Sequence, residues 1–281
     1  MAAGQGKPQE QRVTLQTKNL SLSYEERQVI RDLDLSIPDG KVSVIVGANG
    51  CGKSTLLRGL SRLLKPQGGT VVLDGTAIHE WKTKDVAKRL GILPQSPVAP
   101  DGLTVMDLVN RGRSPHQSWW RQWSTEDENA VAEALAATRM TEFAERAVDE
   151  LSGGQRQRAW ISMAIAQQTS LLLLDEPTTH LDLAHQIDVL DLVLDLNRGQ
   201  GRTVVMVLHD LNQACRYADN VIALKDGKAL AQGLPADVIT AELVREVFDL
   251  RSQVITDPIS GTPLILPFGK YHTGKETHVN A

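Results

Sequence analysis

Hydrophobic and polar positions change period along the chain, and each change marks a different kind of element. Short apolar runs of strand length stand at Val42 to Val46, Leu171 to Leu174 and Thr203 to Leu208. Helical patterns fill most of the interval from Asp101 to Gln168, and others follow the later strands. Because strands that alternate with helices are joined by crossovers, we expect a parallel sheet.

The chain is therefore predicted to be an α/β protein with a parallel-sheet core, an antiparallel β edge region and an inserted helical lobe. Alternating positions in Val13 to Tyr24 and Val29 to Ile37 predict the edge region. A helix over Val238 to Phe248 and two short strands within Gln253 to Pro267 are expected near the C-terminus. The predicted bounds are 1–12 for a polar N-terminal tail, 13–268 for the folded domain, about 96–168 for its helical lobe, about 234–268 for its C-terminal extension and 269–281 for a disordered tail.

Composition narrows the class of protein. With 281 residues and 41% hydrophobic content, the chain can bury a sizeable core. A formal charge of −4 without long runs of one sign gives no electrostatic footprint for nucleic acid. The cysteines, Cys51 and Cys215, are too few for a disulfide framework and fit a reducing compartment. No secretory signal or membrane-spanning run stands out, so we expect a cytosolic protein that reaches a membrane only through a partner.

A glycine-rich segment from Gly47 to Ser54 fits the pattern G-x-x-x-x-G-K-[ST]. It follows the predicted strand at Val42 to Val46 and precedes a helix with apolar positions from Leu56 to Leu64. Glycines let consecutive backbone N–H groups converge on phosphate oxygens, and the helix N-terminus adds partial positive charge. Lys53 then supplies a full charge for the β- and γ-phosphates, and the Ser54 hydroxyl is placed to ligate Mg²⁺.

Two carboxylates, Asp175 and Glu176, end the apolar strand at Leu171 to Leu174. At the carboxyl edge of a parallel sheet, Asp175 would hold Mg²⁺ through its water shell. Glu176 would lie beyond the metal and polarise the attacking water. The alternative is an acidic helix N-terminus before Pro177, since carboxylates are favoured there. The phosphate loop in the same chain favours the metal site.

His209 and Gln95 also follow predicted strands. A lone histidine is usually structural, but His209 comes directly after the strand at Thr203 to Leu208, which favours a side chain facing the phosphates. Gln95 follows a short apolar run, Gly91 to Leu93, and begins the helical lobe. On its own, Gln95 carries no functional information.

The segment LSGGQ, Leu151 to Gln155, begins another predicted helix. Ser152 and Gln155 have the spacing of a capping box, which is a purely local interpretation. A serine hydroxyl and glycine amides at a helix N-terminus are also a phosphate-binding surface. Both interpretations can hold together.

From Val13 to Phe268 the chain resembles the ATP-binding cassette (ABC) ATPases, because their motifs occur here in the same order. The resemblance implies the P-loop fold of ABC type, with ATP and Mg²⁺ as ligands. It implies that Tyr24 stacks on adenine, that Gln95 links the metal site to a transporter, and that His209 senses the γ-phosphate. The residues it assigns to phosphates and Mg²⁺ are Gly47, Ala48, Asn49, Gly50, Cys51, Gly52, Lys53, Ser54 and Thr55, with Gln95 and Asp175 at the metal.

The resemblance also implies a dimer in which two chains share each site. Glu176, His209, Lys53 and Gln95 are then the expected catalytic set, and Asp182 is the dimer-contact aspartate. The signature residues of one chain would close over the ATP of the other. These residues, expected to act in trans, are Ser152, Gly153, Gly154 and Gln155.

Four further segments resemble the ferric-siderophore importer ATPases, especially the ferric-enterobactin type. They are TTHLDLAHQ (Thr178 to Gln186), RGRSPHQ (Arg111 to Gln117), VLHDLNQACRYAD (Val207 to Asp219) and DPISGTPL (Asp257 to Leu264). The branch implies a homodimer at the cytoplasmic face of the inner membrane, an integral-membrane permease and, indirectly, an extracytoplasmic siderophore-binding protein. Haem and cobalamin importer ATPases are the alternative, followed by an ABC ATPase without a transport role.

Two further groups of residues could suggest additional functions. His180 and His185 could suggest iron binding, but no cysteine or carboxylate cluster stands at ligand spacing, and we predict no iron site. The second is an aromatic and basic group at the start of the helical lobe, which fits either the core of the lobe or a surface that docks on the permease. Its members are Arg113, Trp119, Trp120, Arg121 and Trp123.

Overall fold

The computed structural model describes residues 13–117, 123–179 and 181–271, and its elements follow the predicted order. The predicted tail at 1–12 and all but three residues of the predicted tail at 269–281 lie outside these ranges. The strands are β1 Val13–Tyr24, β2 Arg27–Pro38, β3 Val42–Val46, β4 Gly68–Leu73, β5 Thr76–Ala77, β6 Leu90–Leu93, β7 Leu171–Asp175, β8 Thr203–Val207, β9 Asn220–Lys225, β10 Lys228–Gly233, β11 Ser252–Thr256 and β12 Pro263–Pro267. The α-helices are α1 Lys53–Leu60, α2 Thr83–Arg89, α3 Val105–Arg111, α4 Thr125–Ala137, α5 Gly153–Ala166, α6 Leu183–Gln200, α7 Leu211–Tyr217, α8 Pro235–Val238 and α9 Ala241–Phe248.

The central sheet confirms the predicted parallel core. Its strand order is β10-β9-β3-β8-β7-β6, and every neighbouring pair is parallel except β10 with β9. The sequence analysis missed β9 and β10, which form a hairpin. Their turn, Asp226 and Gly227, has positive φ at both residues, 48° and 78°. Asp-Gly between apolar runs is a strong hairpin signal, so this pair could have been predicted.

Both faces of the central sheet are buried, which explains why its strands read as continuous apolar runs. Val44 and Met206 point to one hydrophobic core, which the sheet shares with α3, α5 and α6. Their neighbours along the strands, Ile45 in β3 and Val205 in β8, point to the opposite face. There a second core forms with α1 and the antiparallel sheet β2-β1-β4-β5. Strands covered on both sides need no polar alternation.

Two predicted helices have different bounds in the structure. The helix after the glycine loop was expected to run through Leu64, but α1 ends at Leu60, and Arg62 has a left-handed φ of 64°. The predicted helix from Val238 to Phe248 is wrong at its start, because α8 ends at Val238. A new helix begins after Thr240, whose side chain accepts a hydrogen bond from the amide of Leu243.

The helical lobe contains α3, α4 and α5 and leaves the sheet between β6 and β7. Arg113 is 1% exposed within it, and its Nε donates to Asp127 Oδ1 at 2.8 Å. The same guanidinium donates to the carbonyl of Ala166 and to Gln168 Oε1, both at 2.8 Å. Arg113 therefore belongs to the core of the lobe, which decides the open question for this residue. Trp119, Trp120 and Arg121 lie outside the described residues, and Trp123 is half-exposed.

Candidate active site

The glycine loop joins β3 to α1 and is shaped by close backbone contacts. A Cβ on Gly47 would lie 2.3 Å from the carbonyl oxygen of Leu224 and 2.7 Å from Cys51 Sγ, so no larger residue fits. Gly52 caps α1 with φ 109°, a conformation that L-residues rarely adopt. Cys51 is buried beneath the loop, and burial raises the pKa of its thiol. The loop is thus fixed by its neighbours.

Lys53 is buried at the first position of α1. Its ammonium donates to the carbonyl oxygens of Gly47 at 2.9 Å and Ala48 at 3.1 Å, so the side chain lies within the loop it follows. This geometry puts a positive charge among backbone N–H groups at a helix N-terminus, which is a suitable environment for phosphates.

Ser54 and Asp175 bring the loop and the end of β7 together. The Ser54 hydroxyl donates to Asp175 Oδ1 at 3.0 Å. Burial raises the pKa of Asp175, the Ser54 hydroxyl opposes that rise, and the neighbouring charge of Glu176 adds to it. A hydroxyl and a carboxylate in contact are hard oxygen donors of the kind that Mg²⁺ prefers.

Three side chains hold Glu176: Gln95 and His209 come from distant parts of the chain, and Thr179 comes from the turn after β7. Gln95 Nε2 donates to Oε2 at 2.5 Å, and Thr179 Oγ1 donates to the same oxygen at 3.1 Å. His209 Nε2 lies 2.6 Å from Oε1. Glu176 also has φ 53°, in the left-handed region that costs a non-glycine residue free energy. Such a fixed, buried carboxylate can hold a water molecule in one orientation.

Lys53, Ser54 and Glu176 line one cleft of about 620 Å³, and Asp175 lies behind Ser54 without lining it. Tyr24 stands at its rim, 40% exposed, and its hydroxyl accepts a hydrogen bond from Arg58 Nη1 at 3.1 Å. The predicted residues that line the cleft are Tyr24, Asn49, Gly50, Gly52, Lys53, Ser54, Thr55, Gln95, Glu176 and His209. Arg27 and Val29 line it too, and the sequence analysis missed both because β2 carries no motif. It also missed Thr179, whose contact with Glu176 depends on the turn after β7.

The LSGGQ segment lies outside this cleft, at the start of α5. Ser152 Oγ accepts from the amide of Gln155 at 3.3 Å, and Gln155 Oε1 accepts from the amide of Ser152 at 3.1 Å. The predicted capping box is therefore confirmed. Ser152 and Gly153 are exposed, and Gly154 and Gln155 are half-buried. Nothing in this local geometry opposes an additional contact with phosphate.

Asp182 caps the N-terminus of α6. Its Oδ1 accepts a hydrogen bond from the backbone amide of His185 at 3.0 Å. His185 Nδ1 lies 2.6 Å from the same carboxylate oxygen. His180 is outside the described residues. Within ranges 13–117, 123–179 and 181–271, no group of three His, Cys, Asp or Glu side chains could hold a metal ion. A magnesium ion bound through one carboxylate, one hydroxyl and substrate phosphates needs no such group.

Known sequences similar to this chain are those of ATP-binding proteins, in agreement with a phosphate-binding cleft. The ABC transporter family profile matches residues 30–179. The petrobactin import ATP-binding protein of Bacillus anthracis is 58% identical over 91% of this chain and 94% of that protein. The ferric enterobactin transport ATP-binding protein of Escherichia coli is 53% identical over 91% and 94%. The cobalamin import ATP-binding protein of Halobacterium salinarum is 38% identical over 91% and 64%.

Solved structures give the same fold. An inward-facing putative metal-chelate type ABC transporter has a chain that is 32% identical, with a TM-score of 0.79 over 92% of this chain and 98% of that one. A dimeric ATP-binding cassette in a post-hydrolysis state, bound to ADP and Pi, is 29% identical, with a TM-score of 0.69 over 78% and 98%. In the part of the chain described here, no helix has the length and apolar character needed to cross a membrane.

Proposed function

The chain belongs to the ABC transporter family of ATPases, and we propose that it hydrolyses ATP to drive import of a ferric siderophore through a partner membrane permease. The observation that carries the proposal is the high identity, over nearly the whole chain, with ATP-binding proteins named for petrobactin and ferric enterobactin import. The cobalamin relative is more distant, so cobalamin import is the second candidate.

In the proposed mechanism, the loop from Gly47 to Thr55 binds the triphosphate of ATP. Its backbone N–H groups and the N-terminus of α1 contact the phosphate oxygens, and Lys53 supplies the positive charge for the β- and γ-phosphates. Tyr24 lies at the rim of the same cleft, where its ring is available to stack on adenine. The contact between Lys53 and two loop carbonyls supports this assignment, because it holds the charge where phosphates would enter.

Ser54 and Asp175 would hold Mg²⁺, with Gln95 beside them. The observed contact between the Ser54 hydroxyl and Asp175 supports this pair of ligands. When bound, Mg²⁺ neutralises part of the phosphate charge and orients the γ-phosphate.

Glu176 is the proposed general base. It orients a water molecule for attack on the γ-phosphorus and accepts its proton as the bond to the bridging oxygen of ADP breaks. Gln95, Thr179 and His209 hold the carboxylate, and this network supports the role because a base must be fixed before it can orient water. His209 would also contact the γ-phosphate, so that loss of phosphate changes its hydrogen bonds.

The exposed signature segment is proposed to complete the site of a second copy of the chain. Ser152, Gly153 and Gly154 would contact the γ-phosphate bound by the partner, with Asp182 at the contact between the two chains. ATP then joins two chains, and hydrolysis removes the contacts that joined them. Gln95 stands between the base and the helical lobe, which is where a permease would receive this motion.

The location follows from the role. The chain would sit on the cytoplasmic face of the inner membrane as a peripheral subunit, and a binding protein outside that membrane would deliver the chelate to the permease. The ATPase would never touch the chelate, because relatives that serve different chelators share its sequence.

Uptake of radiolabelled iron tests the proposal. Cells lacking this gene would receive wild type or Lys53→Ala, and would be supplied with catecholate siderophores, hydroxamate siderophores, haem or labelled cobalamin. We expect wild type alone to restore uptake of a ferric siderophore, and the compound restored identifies the chelate. Restoration of cobalamin or haem uptake, with no ferric siderophore restored, would contradict siderophore import and leave the ATPase mechanism intact.

A further inference from the structure

His185 touches two elements that lie outside the nucleotide cleft. Its Nδ1 is 2.6 Å from Asp182 Oδ1, and its amide donates to the same oxygen at 3.0 Å. On the other side its ring lies against the signature segment, because a Cβ on Gly154 would be only 2.8 Å from His185 Cδ2 and 3.2 Å from Cγ. One imidazole therefore joins the start of α6 to the start of α5.

The two contacts of His185 have different chemical requirements. The contact with Asp182 needs an N–H donor. The backbone amide of His185 and, after it, this ring N–H lower the pKa of Asp182. The contact with Gly154 needs a flat group that passes close to a backbone without a Cβ. Imidazole provides both at once.

The neighbouring residue, Gln186, links the same turn of α6 to the nucleotide core. Gln213 Nε2 on α7 donates to Gln186 Oε1 at 2.6 Å, and Gln186 Nε2 donates to the carbonyl of Leu181 at 2.9 Å. The amide of Gln213 in turn bonds to Asp210, which follows His209. The first turn of α6 thus has a fixed relation to the segment that carries His209.

We propose that His185 is a positioning residue that holds Asp182 and the signature backbone at Gly154 as one rigid surface for a second copy of the chain. The proposal rests on the trans site described under the proposed function. In that site, both Asp182 and Gly154 act at the contact between chains, so an error in their relative position would weaken closure. Binding of ATP to a single chain would be unaffected, because His185 does not line the nucleotide cleft.

Three substitutions separate the two contacts. His185→Asn keeps a donor near the position of Nδ1, His185→Phe keeps a flat ring against Gly154, and His185→Ala removes both. The backbone cap between the His185 amide and Asp182 remains in all three, so α6 keeps its start. His79→Ala is the matched control, because His79 is an exposed histidine that belongs to neither α5 nor α6.

For the homodimer we expect His185→Ala to lower kcat by about tenfold or more, because a misplacement of about 1 Å caused far from the reacting atoms can cost up to about a hundredfold in rate. The Kd of the same protein for a fluorescent ATP analogue should match wild type. His185→Asn and His185→Phe should each recover part of kcat. A wild-type kcat in His185→Ala would overturn the proposal, and so would a loss of nucleotide affinity equal to the loss of kcat.

Mixed dimers locate the effect. A chain with Lys53→Ala and a chain with Ser152→Arg, isolated through two different tags, would form one working site from the loop of the second and the signature of the first. His185→Ala should lower turnover several-fold more on the Lys53→Ala chain, whose signature serves that site. Equal losses from either placement would indicate a general structural role and contradict the proposal. No turnover in the parent mixed dimer would contradict the trans site and, with it, this proposal, whereas a working parent with equal losses would contradict the role of His185 alone.

Discussion

The two halves of the proposed site differ in how far their functional side chains are buried and hydrogen-bonded within one chain. In the nucleotide core, Lys53, Asp175 and Glu176 are buried, and each is hydrogen-bonded to another residue of the proposed site. In the helical lobe, Ser152 is exposed, and its side chain bonds only within its own capping box among the described residues. The core half is thus organised within one chain, whereas the signature half leaves an exposed surface, as the proposed contact with a second chain requires.

The lobes also differ in the ion pairs they contain. Apolar burial stabilises both, because the buried side chains of α3, α4 and α5 belong to the same hydrophobic core as one face of the central sheet. The helical lobe places a buried ion pair, Arg113 with Asp127, between α3, α4 and the end of α5. A buried pair adds little to stability while intact, but removing one partner leaves an uncompensated charge. The two lobes should therefore respond differently to single substitutions.

The largest effect is expected in the core half of the site. Glu176→Gln should reduce ATP turnover by about a thousandfold, because general-base catalysis contributes on this scale, while MgATP binding is retained. Steady-state ATPase assays and equilibrium binding would measure both. Glu145→Gln, an exposed position in the helical lobe, is the control. Turnover near the wild-type rate in Glu176→Gln would remove the assignment of the base.

A smaller effect is expected from the buried ion pair of the helical lobe. Arg113→Met should lower the free energy of unfolding by about 3 kcal/mol, because Asp127 would remain buried without its cation. Hydrogen exchange should then accelerate in α3 to α5 more than in the central sheet. Urea unfolding and hydrogen exchange by mass spectrometry would measure the two quantities.

Two variants control this prediction. Arg113→Met combined with Asp127→Asn should recover part of the loss, since no unpaired charge remains. Arg198→Met removes the ion pair with Asp219 at the surface of the nucleotide-binding lobe, where the arginine side chain is 53% exposed. This change should lower the free energy of unfolding by about 1 kcal/mol or less. Equal losses from Arg113→Met and Arg198→Met would contradict the difference between the lobes.

The same ion pair predicts a dependence on acid. Burial raises the pKa of Asp127, but hydrogen bonds from Arg113 and Ser124 outweigh burial and hold that pKa below its ordinary value. A lowered folded pKa gives stability that is present above about pH 4 and is lost as the pH falls through the folded pKa. The difference in unfolding free energy between wild type and Asp127→Asn should therefore shrink in acid. A difference that is constant from neutral pH to pH 2 would contradict it.

How far the sequence alone predicts this molecule depends on the range of the interactions involved. The glycine loop and the LSGGQ capping box are local, and both were predicted and have the expected surroundings. The contacts of Glu176 with Gln95 and His209 join separate strands, so the sequence could indicate only that all three lie at one sheet edge. Arg113 has no local signal for burial at all, because its partners come from α4 and from the end of α5.

The smallest predicted effect separates a helix cap from a nucleotide contact. The described part of the helical lobe has two capping boxes, at Ser124 before α4 and at Ser152 before α5. Ser124→Ala and Ser152→Ala should each cost about 1 kcal/mol of stability, because each removes one cap. Only Ser152→Ala should also lower kcat for ATP, since only that hydroxyl is proposed to reach the phosphate of a second chain. Thermal unfolding and ATPase assays on both variants would measure this, and equal kcat values would mean that Ser152 is a cap and nothing more.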